Sequence, residues 1–431
     1  MKSVSHWIED GANLHSKWEG WTPLTYACES GNMDVTECLV KNLKREDESV
    51  RRNGSGNRSS SKSSLNEYNE YGDTALTCAA RNGHLEICKL LLHNGACVNL
   101  TSQYSHQSVL HIAIEQNQEH IIEFLLANGA DVQIVDNVKI TPLYTAIKGR
   151  NSCIIQRLLA AGCDVNKGSQ DHSPLFLATR LGLSSVVEML CEADCDIDLA
   201  VSHGVTPVYE ATMKGHDDIL QYLIDRGCDV NKTDRYGTSP FHVACMYRNV
   251  IAVNALLKGG ADVNVRMQQG QTGLLVAMEK NNADIVELLL SRGVPLMIKP
   301  HSTSLSAITK VFDNVYTRTV EVLIRGCPDL ILPHSPGVSR IIFENFRLLQ
   351  MVLLSGIKLT SGVLTVVRLH PDYVGQKDVS VWLQNFHKNP HTLMNSCRIR
   401  IRQSLGNKLL CSVRELPIPV VLQDFICLKD I

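Results

Sequence analysis

The sequence predicts an all-α protein, built as an array of helix-turn-helix units with short hairpin loops and ending in a small three-helix module. Three observations lead to this prediction. A six-residue motif recurs eight times at a near-constant spacing, and an amphipathic helical pattern follows each copy. The period ends before residue 390, where a different helical pattern begins. Self-similarity at a fixed period is the signature of repeat architectures.

Each copy of the motif begins with Thr or Ser and has Ala in sixth place. Thr or Ser can cap the free N–H groups of a starting helix, and the Pro that follows in five copies suits the first helical position. The shared Ala is expected where two helices approach closely. From the second copy onward the starts are 34, 33, 32, 33, 33 and 33 residues apart, and the eight copies begin at Thr22, Thr74, Ser108, Thr141, Ser173, Thr206, Ser239 and Thr272.

A second helix is predicted after each motif. Nine residues after the start, six copies carry a Gly or Asn, which tolerates the left-handed backbone conformation that ends a helix. Arg150 and Arg248 are the two exceptions. In many units the second helix closes on Gly-Ala/Cys-Asp-Val-Asn, as at residues 260–264.

These motifs resemble ankyrin repeats, whose units are a turn or short hairpin followed by two antiparallel helices. The resemblance covers about residues 4–298. The usual His at the fourth motif position is present only as His111 and His242, so weaker hydrogen bonding between turns is expected elsewhere. Because one unit buries too little apolar surface to be stable alone, stability must come from stacking.

The predicted domain organisation has three parts. Residues 1–298 hold eight clear units, a partial unit at 4–20 and an insertion at 41–64 that is predicted to be disordered because it is rich in Ser, Gly, Asn and Arg. The insertion is either a regulated or acidic-partner-binding loop, with Ser55 and Ser59 near arginines, or a solvated insertion without a role. The partial unit leaves open whether Met1 is the natural start. Degenerate ninth and tenth repeats and a connector are expected at 299–390, and the terminal module at 391–431.

The terminal module has an apolar stripe on its first predicted helix. Leu393, Cys397, Ile401 and Leu405 are four residues apart and therefore share one helix face. A second short helix ends at the segment formed by residues 416–419, and a third follows. Three helices in some 40 residues cannot form a self-sufficient core. The stripe would stay exposed unless a partner covers it.

The pattern Thr-Leu-x-x-x-Cys-x-x-x-Ile, followed by Leu-Gly and Leu-Pro-x-Pro, resembles a SOCS box. The whole chain resembles the ankyrin repeat and SOCS box family, adaptors that serve as substrate receptors of cullin-type ubiquitin ligases. The resemblance implies that Leu393, Cys397 and Ile401 contact Elongin C, in complex with Elongin B. It also implies that Cullin-5, with its RING partner, is bound and that a second set of residues selects this cullin, namely Leu416, Pro417, Ile418 and Pro419.

An unidentified protein substrate is expected to bind on the concave side, formed by turn tips and first helices. Exposed aromatic and Arg residues are the usual energetic anchors of such surfaces. Each of them could also simply pack on its own turn, and this alternative stays open. The candidate residues are Trp18, Trp21, Tyr71, Tyr104, Arg235, Tyr236, Met246 and Tyr247.

Composition argues against nucleic acid and membranes as partners. The 42 Lys and Arg nearly balance the 44 Asp and Glu, so the general attraction to nucleic acid is missing. There is no signal-peptide core and no run of 18 apolar residues. A cytoplasmic location is therefore expected, with nuclear access possible.

Nothing in the sequence indicates catalysis, a metal or a cofactor. Many of the 15 cysteines recur at small-residue positions such as Cys163 and Cys228, which favours packing over zinc binding. We predict a non-catalytic substrate adaptor. The alternatives are an ankyrin scaffold whose C-terminal helices only cap the array, and a metal or thiol enzyme.

Overall fold

The computed structural model describes residues 12–52, 63–168, 173–296 and 302–327, together with isolated positions between 330 and 355. The chain divides into two compact units, residues 1–210 and 211–431. Within the described ranges the structure is made of helix pairs joined by turns, with two isolated β-bridges. None of the described helices is long and apolar enough to cross a membrane.

Each of the eight sequence motifs begins a short first helix, and a longer second helix follows after a turn. The first helices are Pro23–Glu29, Ala75–Arg81, Val109–Glu115, Pro142–Lys148, Pro174–Arg180, Pro207–Lys214, Pro240–Met246 and Gly273–Glu279. The second helices are Met33–Arg52, Leu85–His93, Glu119–Ala127, Ser152–Ala160, Ser184–Glu192, Asp217–Asp225, Val250–Lys258 and Ala283–Ser291. Short 3-10 helices occupy Ser64–Asn66 and Ser202–Gly204.

The first residue of the motif caps its helix as predicted, with one exception. Thr74, for example, accepts a hydrogen bond from the backbone N–H of Thr77. Thr272 makes no capping bond, and Gly273 follows it in place of Pro. A Cβ atom on Gly273 would lie 2.4 Å from the ring of Phe241, so only glycine leaves room for this ring of the preceding repeat.

Stacking within each unit brings like helices together. In the first compact unit, each first helix from Pro23–Glu29 to Pro142–Lys148 packs against the first helix of the next repeat, and each second helix from Met33–Arg52 to Ser152–Ala160 packs against the next second helix. In the second compact unit, Pro240–Met246 packs against Gly273–Glu279, and the second helices from Asp217–Asp225 to Ala283–Ser291 pack in the same way. The Ala in sixth place of the motif is at most 3% exposed in all eight copies. The prediction that this residue marks a close approach between helices is therefore confirmed.

The turn between the two helices of a repeat has the same backbone conformation in all eight repeats. The residue nine positions after each start has a positive φ, including Arg150 at 57° and Arg248 at 61°. The two exceptions in the sequence are therefore not exceptions in the structure. A side chain with a Cβ atom is strained in this conformation, by about 1–2 kcal/mol.

A ninth helix pair follows the eight units, formed by Ser302–Asp313 and Thr317–Gly326. Both helices pack on their counterparts in the eighth repeat. Val315 stands in the turn with a φ of 56°, which is unusual for a β-branched residue. The expected tenth repeat, the connector and the terminal module lie outside the described residues, apart from single buried positions such as Leu348 and Met351.

The expectation of a disordered insertion over 41–64 is wrong for its first part. The second helix of the first repeat continues to Arg52 and has 20 residues, whereas the other second helices have nine. Leu43 is buried on this helix. Near its end, Asp47 accepts hydrogen bonds from the hydroxyl and the backbone N–H of Ser64, at 2.6 and 3.0 Å. Residues 53–62 lie outside the described part.

The Asn that ends the Gly-Ala/Cys-Asp-Val-Asn segment ties one repeat to the next, a role that sequence analysis missed. The carboxamide oxygen of Asn231 accepts a hydrogen bond from the backbone N–H of Asp262 at 2.8 Å, and its Nδ2 donates to the carbonyl of Gly260 at 3.2 Å. Asn99 makes the same two bonds with the repeat that follows it. Asn166 makes the first of them.

The two motif histidines connect adjacent turns. Nδ1 of His111 accepts from the hydroxyl of Ser108 at 2.9 Å, and Nε2 donates to the carbonyl of Ile140 in the next repeat at 3.1 Å. His242 reaches the carbonyl of Gln271 in the same way, at 3.3 Å. Burial lowers the pKa of both histidines, because the charged imidazolium loses its hydration.

We expect Arg150→Gly to stabilise the chain by about 0.5–1 kcal/mol, because glycine adopts the left-handed conformation without strain. Denaturant unfolding of the full chain measures this change. Gln156→Gly is the matched control, since Gln156 is exposed in the middle of the following helix. It should lose about 0.5–1 kcal/mol. If the Arg150→Gly chain is no more stable than the wild type, the backbone at Arg150 is not strained.

Asn231→Ala should destabilise the chain by about 1–2 kcal/mol, because the loop of the next repeat loses both of its hydrogen bonds to this side chain. Asn264 provides the control at the same place one repeat later. There Pro295 stands where Asp262 would donate, and proline has no N–H. Asn264→Ala should therefore change the free energy of unfolding by only about 0.5 kcal/mol or less. Equal losses of unfolding free energy in the two variants would contradict a stabilising role for the Asn231 hydrogen bonds.

The two histidines should make stability depend on pH. Their folded-state pKa lies below the ordinary histidine value of 6.5, so the unfolded chain takes up protons first as the pH falls. The stability is fully present above pH 6.5 and is lost as the pH drops toward the folded-state pKa. A His111→Gln, His242→Gln chain should show a flatter curve of melting temperature against pH. Parallel curves for the two proteins would contradict this assignment.

Candidate protein-binding surface

The hairpin that precedes the first motif places two tryptophans side by side. Trp18 and Trp21 exchange backbone hydrogen bonds of 2.9 and 3.0 Å. The two residues between them, Glu19 and Gly20, have φ values of 48° and 87°. Positive φ at both central residues is the pattern of a tight type I′ turn. This turn leaves Trp18 71% exposed.

Tyr71 belongs to the next hairpin and packs on this first one. Its ring centroid lies 5.2 Å from that of Trp21, and its hydroxyl donates to the carbonyl of Glu19 at 3.2 Å. A Cβ atom on Gly20 would lie 3.0 Å from the Tyr71 ring. The glycine of one tip therefore makes room for the tyrosine of the next.

Tyr104 repeats this arrangement one repeat further along. Its hydroxyl donates to the carbonyl of Glu70 at 3.2 Å, and its ring lies 2.8 Å from where a Cβ atom on Gly72 would stand. Tyr71 and Tyr104 thus pack on the preceding turn, whereas the alternative drawn from the sequence was packing on their own turns. Both rings nevertheless stay more than half exposed, at 56% and 63%.

These residues form one continuous surface in the first unit, which we call the tip patch. An aromatic side chain that sequence analysis missed lies beside it. Tyr26 is exposed and meets Trp21 edge to face, with a centroid distance of 6.5 Å. The tip patch consists of Trp18, Glu19, Trp21, Glu70, Tyr71 and Tyr104.

The second unit carries the other candidate residues. The guanidinium carbon of Arg235 lies 4.6 Å above the ring centroid of Tyr236, which is itself exposed. Asp234 shapes this tip, because its Oδ1 accepts from the backbone N–H of Tyr236 at 2.8 Å. Met246 ends its first helix half-buried, and Tyr247 follows it as an exposed capping residue.

Ten of the twelve cysteines in the described ranges are buried or half-buried, whereas Cys97 and Cys153 are exposed. Cys28, Cys78 and Cys245 are buried, and burial raises the pKa of all three thiols. Burial also raises the pKa of Cys88 to about 12 and that of Cys163 to about 11. These thiols therefore stay protonated, which disfavours both nucleophilic attack and metal ligation. No group of three metal-ligating side chains occurs in the part of the chain that the structure describes.

The residues predicted to contact the elongins and the cullin cannot be placed in the same way. Leu393, Cys397, Ile401 and the segment at 416–419 lie outside the described residues. Their assignment stays a prediction from the sequence.

Comparison with known proteins identifies both parts of the chain. A model of ankyrin repeats in three copies matches residues 2–102, 56–136, 110–201, 143–234 and 208–300. A model of the SOCS box matches residues 389–427.

Human ankyrin repeat and SOCS box protein 16 is 28% identical over 43% of this chain and 39% of its own length. Human ankyrin repeat and SOCS box protein 6 is 31% identical over 32% of this chain and 35% of its own length. The chain thus spans less than two fifths of the length of these relatives. Among solved structures, the ankyrin repeat domain of human ASB11 shares 29% identity, with a TM-score of 0.42 over 48% of this chain and 92% of that one.

The stacked helix pairs and the matching repeat model define a helical repeat protein of the ankyrin class. In this class exposed tips and helix faces present side chains to other molecules. With the SOCS box at its C-terminal end, the chain belongs to the ankyrin repeat and SOCS box family.

Proposed function

We propose that this chain is the substrate-recognition adaptor of an Elongin B/C and Cullin-5 type ubiquitin ligase. The repeats hold a target protein, and the SOCS box docks on the ligase. The observation that carries the proposal is the presence of both parts on one chain, with repeats matched over residues 2–300 and a SOCS box over 389–427. A scaffold that only binds a target would not need the second part.

The docking side of the proposal rests on the sequence of the SOCS box. Leu393, Cys397 and Ile401 fall within the matched residues and share one face of the predicted helix. An amphipathic helix of this kind lays its apolar face into a groove, with Leu393 as the anchor and the small Cys397 allowing a close approach. The Leu-Pro-Ile-Pro segment at 416–419 favours Cullin-5 through the family resemblance.

The chain itself performs no chemistry in this proposal. A conjugating enzyme, recruited by the RING partner of the cullin, transfers ubiquitin to a lysine of the bound target. The adaptor contributes by holding the target near that enzyme, which raises its effective concentration. Such a role needs no metal, cofactor or activated nucleophile, and the buried protonated thiols are consistent with it.

The target is proposed to bind through the exposed tips and first helices. The tip patch of the first unit and the group of Arg235, Tyr236, Met246 and Tyr247 in the second unit are the surfaces that combine aromatic and charged side chains. We place this function in the cytoplasm, with nuclear access possible.

Leu393→Pro combined with Cys397→Phe should abolish co-purification of Elongin B and Elongin C, because the first change breaks the helix and the second overfills the groove. The assay is affinity purification of the full chain from cells with the proteasome blocked. Proteins held by the repeats should accumulate on the variant, since they no longer reach the ligase.

Arg402→Ala is the matched control for this experiment, because Arg402 lies on the side of the same predicted helix opposite Leu393 and its change should leave elongin binding intact. Circular dichroism of the purified variants checks that the helical array is still folded. Full elongin binding by the double variant would refute the proposal. It would favour the scaffold whose C-terminal helices only cap the array.

A further inference from the structure

We infer that the tip patch binds an extended protein segment that carries two basic side chains about three residues apart. The inference rests on the proposed function in one respect, since the segment would belong to the target protein. It is carried by the chemistry of the patch, by an arrangement within this chain that shows the same chemistry, and by the spacing of the repeats.

The patch combines exposed aromatic rings with exposed carboxylates. Glu19 and Glu70 are exposed, and the backbone carbonyl of each accepts a hydrogen bond from the tyrosine of the following tip. These bonds hold each Tyr hydroxyl at the backbone of an exposed glutamate. Arg81, the nearest cation after Tyr71 in the sequence, is already engaged by Asp73 at 2.8 Å. An aromatic face next to a carboxylate attracts a cation through both its quadrupole and its charge.

In the second unit, a tyrosine at the equivalent position already has a cationic side chain over its ring. Tyr236 stands at the tip three residues before its motif, as Tyr71 does before its own, and the guanidinium of Arg235 lies 4.6 Å above it. Among the described residues, no cation lies over Tyr71 or Tyr104. Where the Tyr236 tip has Arg235, the Tyr71 tip has Glu70 and the Tyr104 tip has Gln103, so neither tip supplies a cation at that position. A cation from a partner completes the arrangement that the chain forms by itself at Tyr236.

The exposure of the two rings is not needed for the fold. Their packing on the preceding tip uses the hydroxyl, which donates to a carbonyl, and the ring edge that lies over Gly20 or Gly72. More than half of each side chain nevertheless remains in water. Aromatic side chains exposed in a row of this kind are typical of binding surfaces.

The repeat fixes the distance between the two Glu–Tyr pairs. Neighbouring helices pack with axes about 8–10 Å apart, and the tips follow the same repeat. A segment in the extended polyproline II conformation has three residues per turn and rises about 3.1 Å per residue, so residues three apart share one face and lie about 9 Å from each other. Two basic side chains at positions i and i+3 of such a segment therefore match the two pairs.

The test uses the full chain and three synthetic peptides of equal length. The first is acetyl-Gly-Arg-Gly-Gly-Arg-Gly-amide, the second has the two arginines adjacent, and the third has Glu in place of both arginines. Titration calorimetry, with tryptophan fluorescence as the reporter of Trp18 and Trp21, measures their affinities. The spaced peptide should bind at least threefold more tightly than the adjacent one, and the acidic peptide should not bind. Binding should weaken steeply as salt is raised.

Variants of the chain separate the two parts of the chemistry. Glu19→Gln with Glu70→Gln should weaken binding of the spaced peptide at least tenfold. Glu188→Gln with Glu192→Gln makes the same charge change on the exposed side of a second helix and should leave it unchanged. Tyr71→Leu with Tyr104→Leu should abolish binding of the spaced peptide. The corresponding pair of Tyr→Phe changes keeps the rings and should keep most of the affinity.

Three results would overturn the inference: equal affinity for the basic and acidic peptides, no binding of any peptide, or unchanged binding by the Glu19→Gln, Glu70→Gln chain. Elongin co-purification with the same variants is measured in parallel. If the peptide binds as expected and elongins never co-purify, the proposed ligase function fails alone. If elongins bind and the peptide does not, the inference on the tip patch fails alone.

Discussion

The close approach of neighbouring repeats is the constraint on which the other features of this structure depend. No single helix pair buries enough surface to be stable, so every repeat must lie close to the next. The Ala in sixth place of the motif permits this approach between first helices, and Gly273 permits it where the ring of Phe241 intrudes. The turn between the helices must also hold one backbone conformation. Arg150 and Arg248 accept strain to adopt it.

Polar side chains keep the stacked repeats in register. Asn231 and Asn99 hold the loop that follows the second helix of the next repeat, and His111 and His242 hold the residue just before the next motif. At the same motif position, Thr25 instead bonds with the cap of its own helix. The turn contacts at that position are therefore uneven along the array, as the sequence predicted from its two histidines.

The sequence predicted features that depend on local chemistry at recurring positions: the eight helix pairs, their caps and the buried Ala. It failed where a contact with a residue distant in the sequence determines the local structure. Asp47 holds Ser64, and a helix forms through Arg52 within a segment whose composition indicated disorder. Tyr26 was missed because its counterparts in the next two repeats, Cys78 and Ile112, are buried. The position alone therefore does not predict exposure. The candidate tyrosines were identified, but their packing on the preceding tip depends on Gly20 and Gly72, which belong to another repeat.

Stacking and recognition use different parts of the same residues at the tips. Tyr71 packs on the preceding tip with its hydroxyl and one ring edge. The rest of its ring is an exposed aromatic surface beside Glu19. Because the same contact recurs at Tyr104, the surface inherits the spacing of the helices beneath it. A flexible loop could present the same side chains, but it would lose conformational entropy when a partner fixed them. The array presents them at a set distance before any partner arrives, and selectivity for a spacing of charges in the partner follows from that rigidity.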